Sequence, residues 1–228
     1  MFSALAAAFG DLGDPRIRGV LWKSLGLALL VLALLATGLW FLVAWLAHFE
    51  IGWLNKVIEF AAGFGVVILA WFLFPAAVTS TLGVFLDEVS EAVERRHYPH
   101  LPKARPQPWG EIIRQTLTFT AIAVGLNLLL LPFYLLLLWF PPAYAALFYG
   151  VNGYLLGREY FEQVAMRRLD PEAARRLRRA YQGRIVLAGV AIAFLLTVPI
   201  LNLIAPVVAT AFMLHLTVTL TSSADRRR

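Results

Sequence analysis

The chain has 228 residues, of which 60% are hydrophobic and 15% charged, with a net charge of +6 and no cysteine; mean hydropathy is +0.73. Soluble domains are about 45–50% apolar and about 25% charged, so this composition excludes an ordinary soluble protein and places the chain in a membrane. The missing cysteine excludes disulfides, thiol nucleophiles and cysteine metal sites, and the basic balance falls between apolar runs, where it marks a membrane edge and anionic lipid rather than nucleic acid.

The first 15 residues lack a basic start and a long apolar stretch, so no cleaved signal peptide is expected. Residues 1–14 read as an N-terminal amphipathic segment. Asp14 is a good N-cap and Pro15 a good first helical residue, so the first span should open there and cover 15–48. Its apolar run, Gly19 to Ala47, is longer than the hydrocarbon core. Trp40 and Trp45 suit an interfacial belt. Arg16 and Arg18 then lie in the first turn of this helix. The N-terminus is already positive, so cations there disfavour the helix and favour an anion. The alternative is the basic membrane edge common to first spans.

A short loop, HFEIGWLNKVIE, precedes a second apolar run from Phe60 to Leu86. Pro75 should kink it, and the hydroxyls of Thr79, Ser80 and Thr81 are expected to satisfy backbone groups that the proline leaves unpaired. Val89 and Val93 continue helical spacing, so the second span is read as 60–97, with a polar extension into water. Tyr98 to Pro108 holds four prolines and is a loop.

No charged residue occurs across the 43 positions between Arg114 and Arg158, or the 40 between Arg184 and Asp225. Pro132, Pro141 and Pro142 divide the first region; Pro199 and Pro206 divide the second. Residues 185–198 and 207–221 each fall short of the roughly 20 residues of a full span. The two regions are therefore read as helical hairpins, over 111–157 and 185–222, that dip into the bilayer and return. Irregular backbone at that depth needs protein or a water-filled cavity around it. Nineteen of the twenty basic residues then share one side, with the termini expected in the cytoplasm.

Between the hairpins, 158–184 reads as a basic polar segment with a helix opening at Asp170–Pro171. It suits contact with anionic lipid. No phosphate loop, HExxH or GxSxG is present, so neither an enzyme nor a cofactor is expected. His97 and His100 have a spacing that can bind metal but read as surface loop histidines, and no metal site is assigned. No paired carboxylates lie within an apolar run, so no proton relay is visible. Asn202 sits between two prolines at an apex and serves either as a cap or as pore lining. Asn152 and Asn127 carry the same ambiguity. Glu159 beside Arg158 is expected in a charge network near a pore mouth.

The elements Pro15–Arg16–Ile17–Arg18, Arg158–Glu159–Tyr160–Phe161 and VPILNLIAP (Val198 to Pro206), in this order, resemble the CysZ family of bacterial sulfate permeases, grouped with the etoposide-induced membrane proteins. The chain departs from the family in carrying Arg16 where a glycine is usual, Gly19 where a second arginine often stands, and Ser80, Thr81 and Leu82 in place of a Pro-Phe-Asn element. The resemblance implies an all-α membrane protein with two long transmembrane helices and two partly penetrating hairpins. It also implies sulfate uptake, or uptake of sulfite or related oxyanions, across the bacterial inner membrane to supply cysteine biosynthesis. A homo-oligomer is implied too. Arg18, Arg16 and Ile17 are the implied sulfate-binding residues, with Asn202, Glu159, Arg158 and Asn152 at the pore or its mouth. The competing reading is a non-transporting assembly or regulatory protein that docks a partner or lipid through its basic segment.

Overall fold

The computed structural model describes residues 1–46 and 52–225, which form ten helices and no strand: α1 (Phe2–Asp11), α2 (Pro15–Leu46), α3 (Gly52–Val84), α4 (Leu86–His97), α5 (Trp109–Leu137), α6 (Pro141–Ala165), α7 (Pro171–Ala180), α8 (Gln182–Thr197), α9 (Pro199–Asn202) and α10 (Ala205–Asp225). The protein is an all-α membrane protein, as its composition requires.

The start of α2 follows from its capping chemistry. The Arg16 N–H donates to Asp14 Oδ1 at 2.8 Å, and the Arg18 N–H donates to the Asp14 carbonyl at 2.9 Å. At 1.5 Å per residue its 32 residues reach about 48 Å, well beyond a roughly 30 Å core. Residues 52–59 of the expected 48–59 loop belong to α3, which begins at Gly52; His48 and the rest of 47–51 lie outside the described residues. The arms of α3 on either side of Pro75 bend by 44°, as a proline inside a helix dictates. Thr81 does not serve the freed carbonyls. Its hydroxyl sits 2.9–3.0 Å from the carbonyls of Val78 and Ala77 in its own helix and of Ser24 in α2, tying the two long helices together.

Two boundaries differ from expectation. The second span does not run on as one helix to residue 97. It stops at Val84, and α4 starts afresh after Phe85. Nor does α4 project into water: Val89, Ala92 and Val93 are buried, because its apolar stripe packs on α10 and α2. Similarly, 158–184 is not one basic helix but the end of α6, a turn, α7 and the start of α8. Asp170 does cap α7, accepting from the Glu172 and Ala173 N–H groups at 2.9 and 2.7 Å.

Both expected hairpins are present as helix pairs, α5 with α6 and α8 with α10, broken at the prolines. One arm of each is longer than partial penetration needs. Together with α2, α5 and α10 are long and apolar enough to cross a membrane. They differ in surroundings. No residue of α5 is buried, whereas two-thirds of the apolar window of α10 is. The centre of the molecule is α10, with Phe212, Met213 and Leu214 against α1, α4 and α6. Helices α6 and α8 meet at glycines: Gly189 lies on the backbone of Gly153 and Gly157. Small residues allow this close approach where lipid offers no hydrophobic drive to association.

Candidate functional site

The structure separates the residues that the sequence grouped. Positions 16 and 18 are about 200° apart on a helix. Arg16 borders a cavity of about 350 Å³ shared with Lys23, Glu88, Glu91 and Arg95, whereas Arg18 does not line it. Both carboxylates there are engaged, Glu88 by Lys23 at 3.2 Å and Glu91 by Arg95 at 3.3 Å, which leaves Arg16 as the surplus cation. The side chain of Ile17 is buried and belongs to the core.

Arg158 and Glu159 do not pair. Adjacent helical residues point about 100° apart, and Arg158 Nε instead donates to Glu162 Oε1 at 3.0 Å, one turn on. Arg178 of α7 reaches the same carboxylate oxygen at 3.3 Å. This pair floors a cavity of about 70 Å³, whose rim carries Glu111, Arg114 and Gln115 of α5 and Arg175 of α7. Glu111 is engaged by Arg105 Nη2 at 2.6 Å, and Arg105 itself is held by the carbonyls of Met166 and Leu169. Five arginines thus surround two glutamates, and the excess of positive charge is built into the folded chain. Arg114 is exposed and has no ion pair among the described residues.

Gln115 and Glu162 also line a larger cavity of about 480 Å³, so the two spaces adjoin. Its further polar lining is Asp87, Gln107, Thr116, Glu159 and Gln163. Glu159 is accessible from this space yet ringed by protein, and that desolvation pushes its carboxyl up. Beneath lies a buried ionic knot. Arg167 donates to Glu94 at 3.0 Å and to Asp87 at 2.7 Å, and Arg168 donates to Glu94 at 2.8 Å. Burial alone would push the Glu94 carboxyl up, but hydrogen bonds and charge from the two arginines outweigh it and hold the group below its ordinary value. The knot locks α4 to the end of α6.

The asparagines are less engaged with these spaces. Asn152 and Asn127 donate to carbonyls one turn back, of Phe148 and Ala123, both at 2.8 Å. Asn202 is half-buried at the end of α9. Sequence reasoning missed Arg114, Arg175 and Glu162. The i,i+4 spacing of Arg158 and Glu162 signalled a pair on one face, but nothing local brings α5 and α7 to it.

No curated protein matches the chain. A family model described as Sulfate transporter CysZ/Etoposide-induced protein 2.4 matches residues 4–206. That match runs from α1 to the first turn of α10 and includes every helix that builds the two cavities. The chain therefore belongs to the sulfate transporter CysZ/etoposide-induced protein 2.4 family.

Proposed function

We propose that this protein is a channel-like, gradient-driven permease that carries sulfate across the bacterial inner membrane and so supplies cysteine biosynthesis. The observation that carries this reading, within a chain of this family, is the arginine excess around the 70 Å³ cavity and its continuity with the 480 Å³ one. A dianion approaching the rim meets Arg114 and Arg175 first, while both nearby carboxylates are already neutralised. Guanidinium groups give tetrahedral oxyanions several charge-assisted bonds, and clustered arginines select anions at a pore mouth. The small cavity has room for a few waters' worth of volume, which suits an inorganic oxyanion. Arg16 and Arg18 stand on opposite sides of the head of α2, where the helix dipole adds to the attraction of each for an anion. Sulfite and related oxyanions fit the same chemistry. The working unit is a homo-oligomer on this reading, with the exposed apolar face of α5 meeting lipid or a second copy.

The test is radiolabelled sulfate uptake into proteoliposomes. Wild type should carry sulfate above empty vesicles. Arg114→Gln, which breaks no ion pair, should lower flux about tenfold, the scale of one charge-assisted contact. Arg16→Ala and Arg18→Ala should lower it as well. Wild-type flux equal to that of empty vesicles, across sulfate gradients and pH, refutes the reading. Binding to anionic vesicles through exposed Arg175, Arg176 and Arg179 of α7 would then favour a docking protein.

A further inference from the structure

A second cluster of polar groups lies apart from both cavities, where α1, α4 and α10 meet. Asp11, the last residue of α1, is buried, with only 2% of its side chain exposed. His97 ends α4, and its Nε2 lies 2.7 Å from Asp11 Oδ1. His215, in the middle of α10 and 5% exposed, points Nε2 at Asp11 Oδ2 from 2.9 Å. The three ligating atoms lie within 4.8 Å of one another. Behind His215, the Tyr98 hydroxyl sits 2.7 Å from Nδ1.

The electrostatics of this cluster are unbalanced. A buried carboxylate at a helix C-terminus faces the negative end of the dipole, and His97 marks a second C-terminus, so two helices direct partial negative charge at one point. With both imidazoles neutral, the nearest fixed cation is Arg96. Its Nη1 is 3.8 Å from Asp11 and 3.9 Å from Asp14, it is half-exposed, and it divides its charge between the two. A site with one carboxylate, two imidazole nitrogens and converging helix C-termini has the donors and the potential of a divalent transition-metal site.

We propose that Asp11, His97 and His215 bind one divalent transition-metal ion of the zinc type, which pins the N-terminal helix α1 to α4 and α10. In a tetrahedral zinc site with bonds of about 2.0–2.2 Å, ligand atoms stand roughly 3.4 Å apart. The present 2.7 and 2.9 Å contacts therefore open by about 0.5–0.7 Å on loading, within reach of side-chain rotation. Each imidazole shifts its proton from Nε2 to Nδ1, freeing Nε2 for the metal. In His215 the relocated proton is donated to the Tyr98 oxygen, the outer partner that fixes ring and tautomer at a metal site. His97, a third exposed, leaves an approach for the ion and a coordination position for water. His100 lies outside the group.

The experiment uses the full chain in detergent, stripped with a chelator. Zinc is titrated by calorimetry, and Co2+ by visible absorption. Wild type should take up one equivalent of Zn2+, and its Co2+ form should show intense tetrahedral bands. His97→Ala should weaken Zn2+ binding by more than tenfold, and Tyr98→Phe by about tenfold, the scale for loss of an outer partner. His100→Ala should leave it unchanged. Zinc should also raise the unfolding temperature of wild type and not that of His97→Ala. If wild type binds no Zn2+ and its Co2+ spectrum is that of the aqueous ion, the proposal is overturned, whatever the variants do. Affinity undiminished in His97→Ala and Asp11→Asn overturns it equally.

Discussion

Replacing Gly189 by alanine tests the packing that holds the second hairpin in place. A Cβ at this position would stand 2.5 Å from the Gly157 nitrogen and 2.7 Å from its Cα, and would meet the Gly153 carbonyl oxygen still more closely. All three partners are backbone atoms, which no rotamer change can move. Ordinary carbon contacts lie at about 3.5–4.0 Å, so α6 and α8 must part by about 1 Å. Overpacking costs about 1–3 kcal/mol, and a backbone clash belongs at the upper end. Alanine regains about 1 kcal/mol through helix propensity, which leaves a net loss of about 2 kcal/mol. For a chain of this size, each kcal/mol shifts the midpoint by about 2–4 °C, so thermal unfolding in detergent should fall by about 4–8 °C. Gly183, in the same helix, has open space around its would-be Cβ, and Gly183→Ala should hold or raise the midpoint. Equal midpoints for the two variants would refute the close-crossing argument.

Arg167→Met leaves Glu94 to Arg168 alone and frees the exposed Asp87, and should destabilise the protein by about 1.5–3 kcal/mol, the scale of a hydrogen bond to a charged group, measured by denaturant or thermal unfolding. The same knot sets an acid limit. Because the folded carboxyl of Glu94 sits below its ordinary 4.5, the unfolded chain binds its proton more readily. This contribution is complete above that value and is lost as pH falls through the lower folded one; Glu94→Gln should flatten that part of the midpoint–pH curve. Ile17→Ala removes a fully buried side chain and should cost about 2–5 kcal/mol. If Ile17 acts only in packing, sulfate flux per folded molecule should be unchanged. Thr81→Val loses the hydroxyl link to Ser24 and should cost about 1 kcal/mol, read as a lower midpoint with flux retained.

Local chemistry was legible in the sequence wherever it decided the outcome. Asp14 with Pro15, and Asp170 with Pro171, announced helix starts that the structure places at those residues. The prolines at 141, 199 and 206 marked the breaks of both hairpins. What escaped was decided by helix packing. Residues 86–97 looked like a solvated extension because their charges dominate the composition, yet Glu94 is buried through two arginines more than seventy positions away. Glu159 reads as part of a charge network beside Arg158, whereas the helix turns the two apart and Glu162 takes the arginine. Asp11, His97 and His215 are separated by 86 and 118 positions, and no spacing rule spans such distances. The 15 residues from 207 to 221 are too few to span by themselves, but polar and small residues at each end extend the helix to 21.

The lack of burial along α5 has a mechanical meaning. This helix supplies Glu111, Arg114 and Gln115 to the small cavity, Thr116 and Phe119 to the larger one, and Ile122 and Leu126 to an apolar space of about 510 Å³ against α6. One side of all three spaces is therefore borne by the element with no buried residue of its own, while α6, packed on α8 and α10, holds the opposite walls in place. A rigid displacement of α5 widens or narrows the three spaces in concert and unpacks nothing in the centre. Its outer face meets what surrounds the protein, so the dimensions of the three spaces depend on the bilayer more than on the stability of the fold.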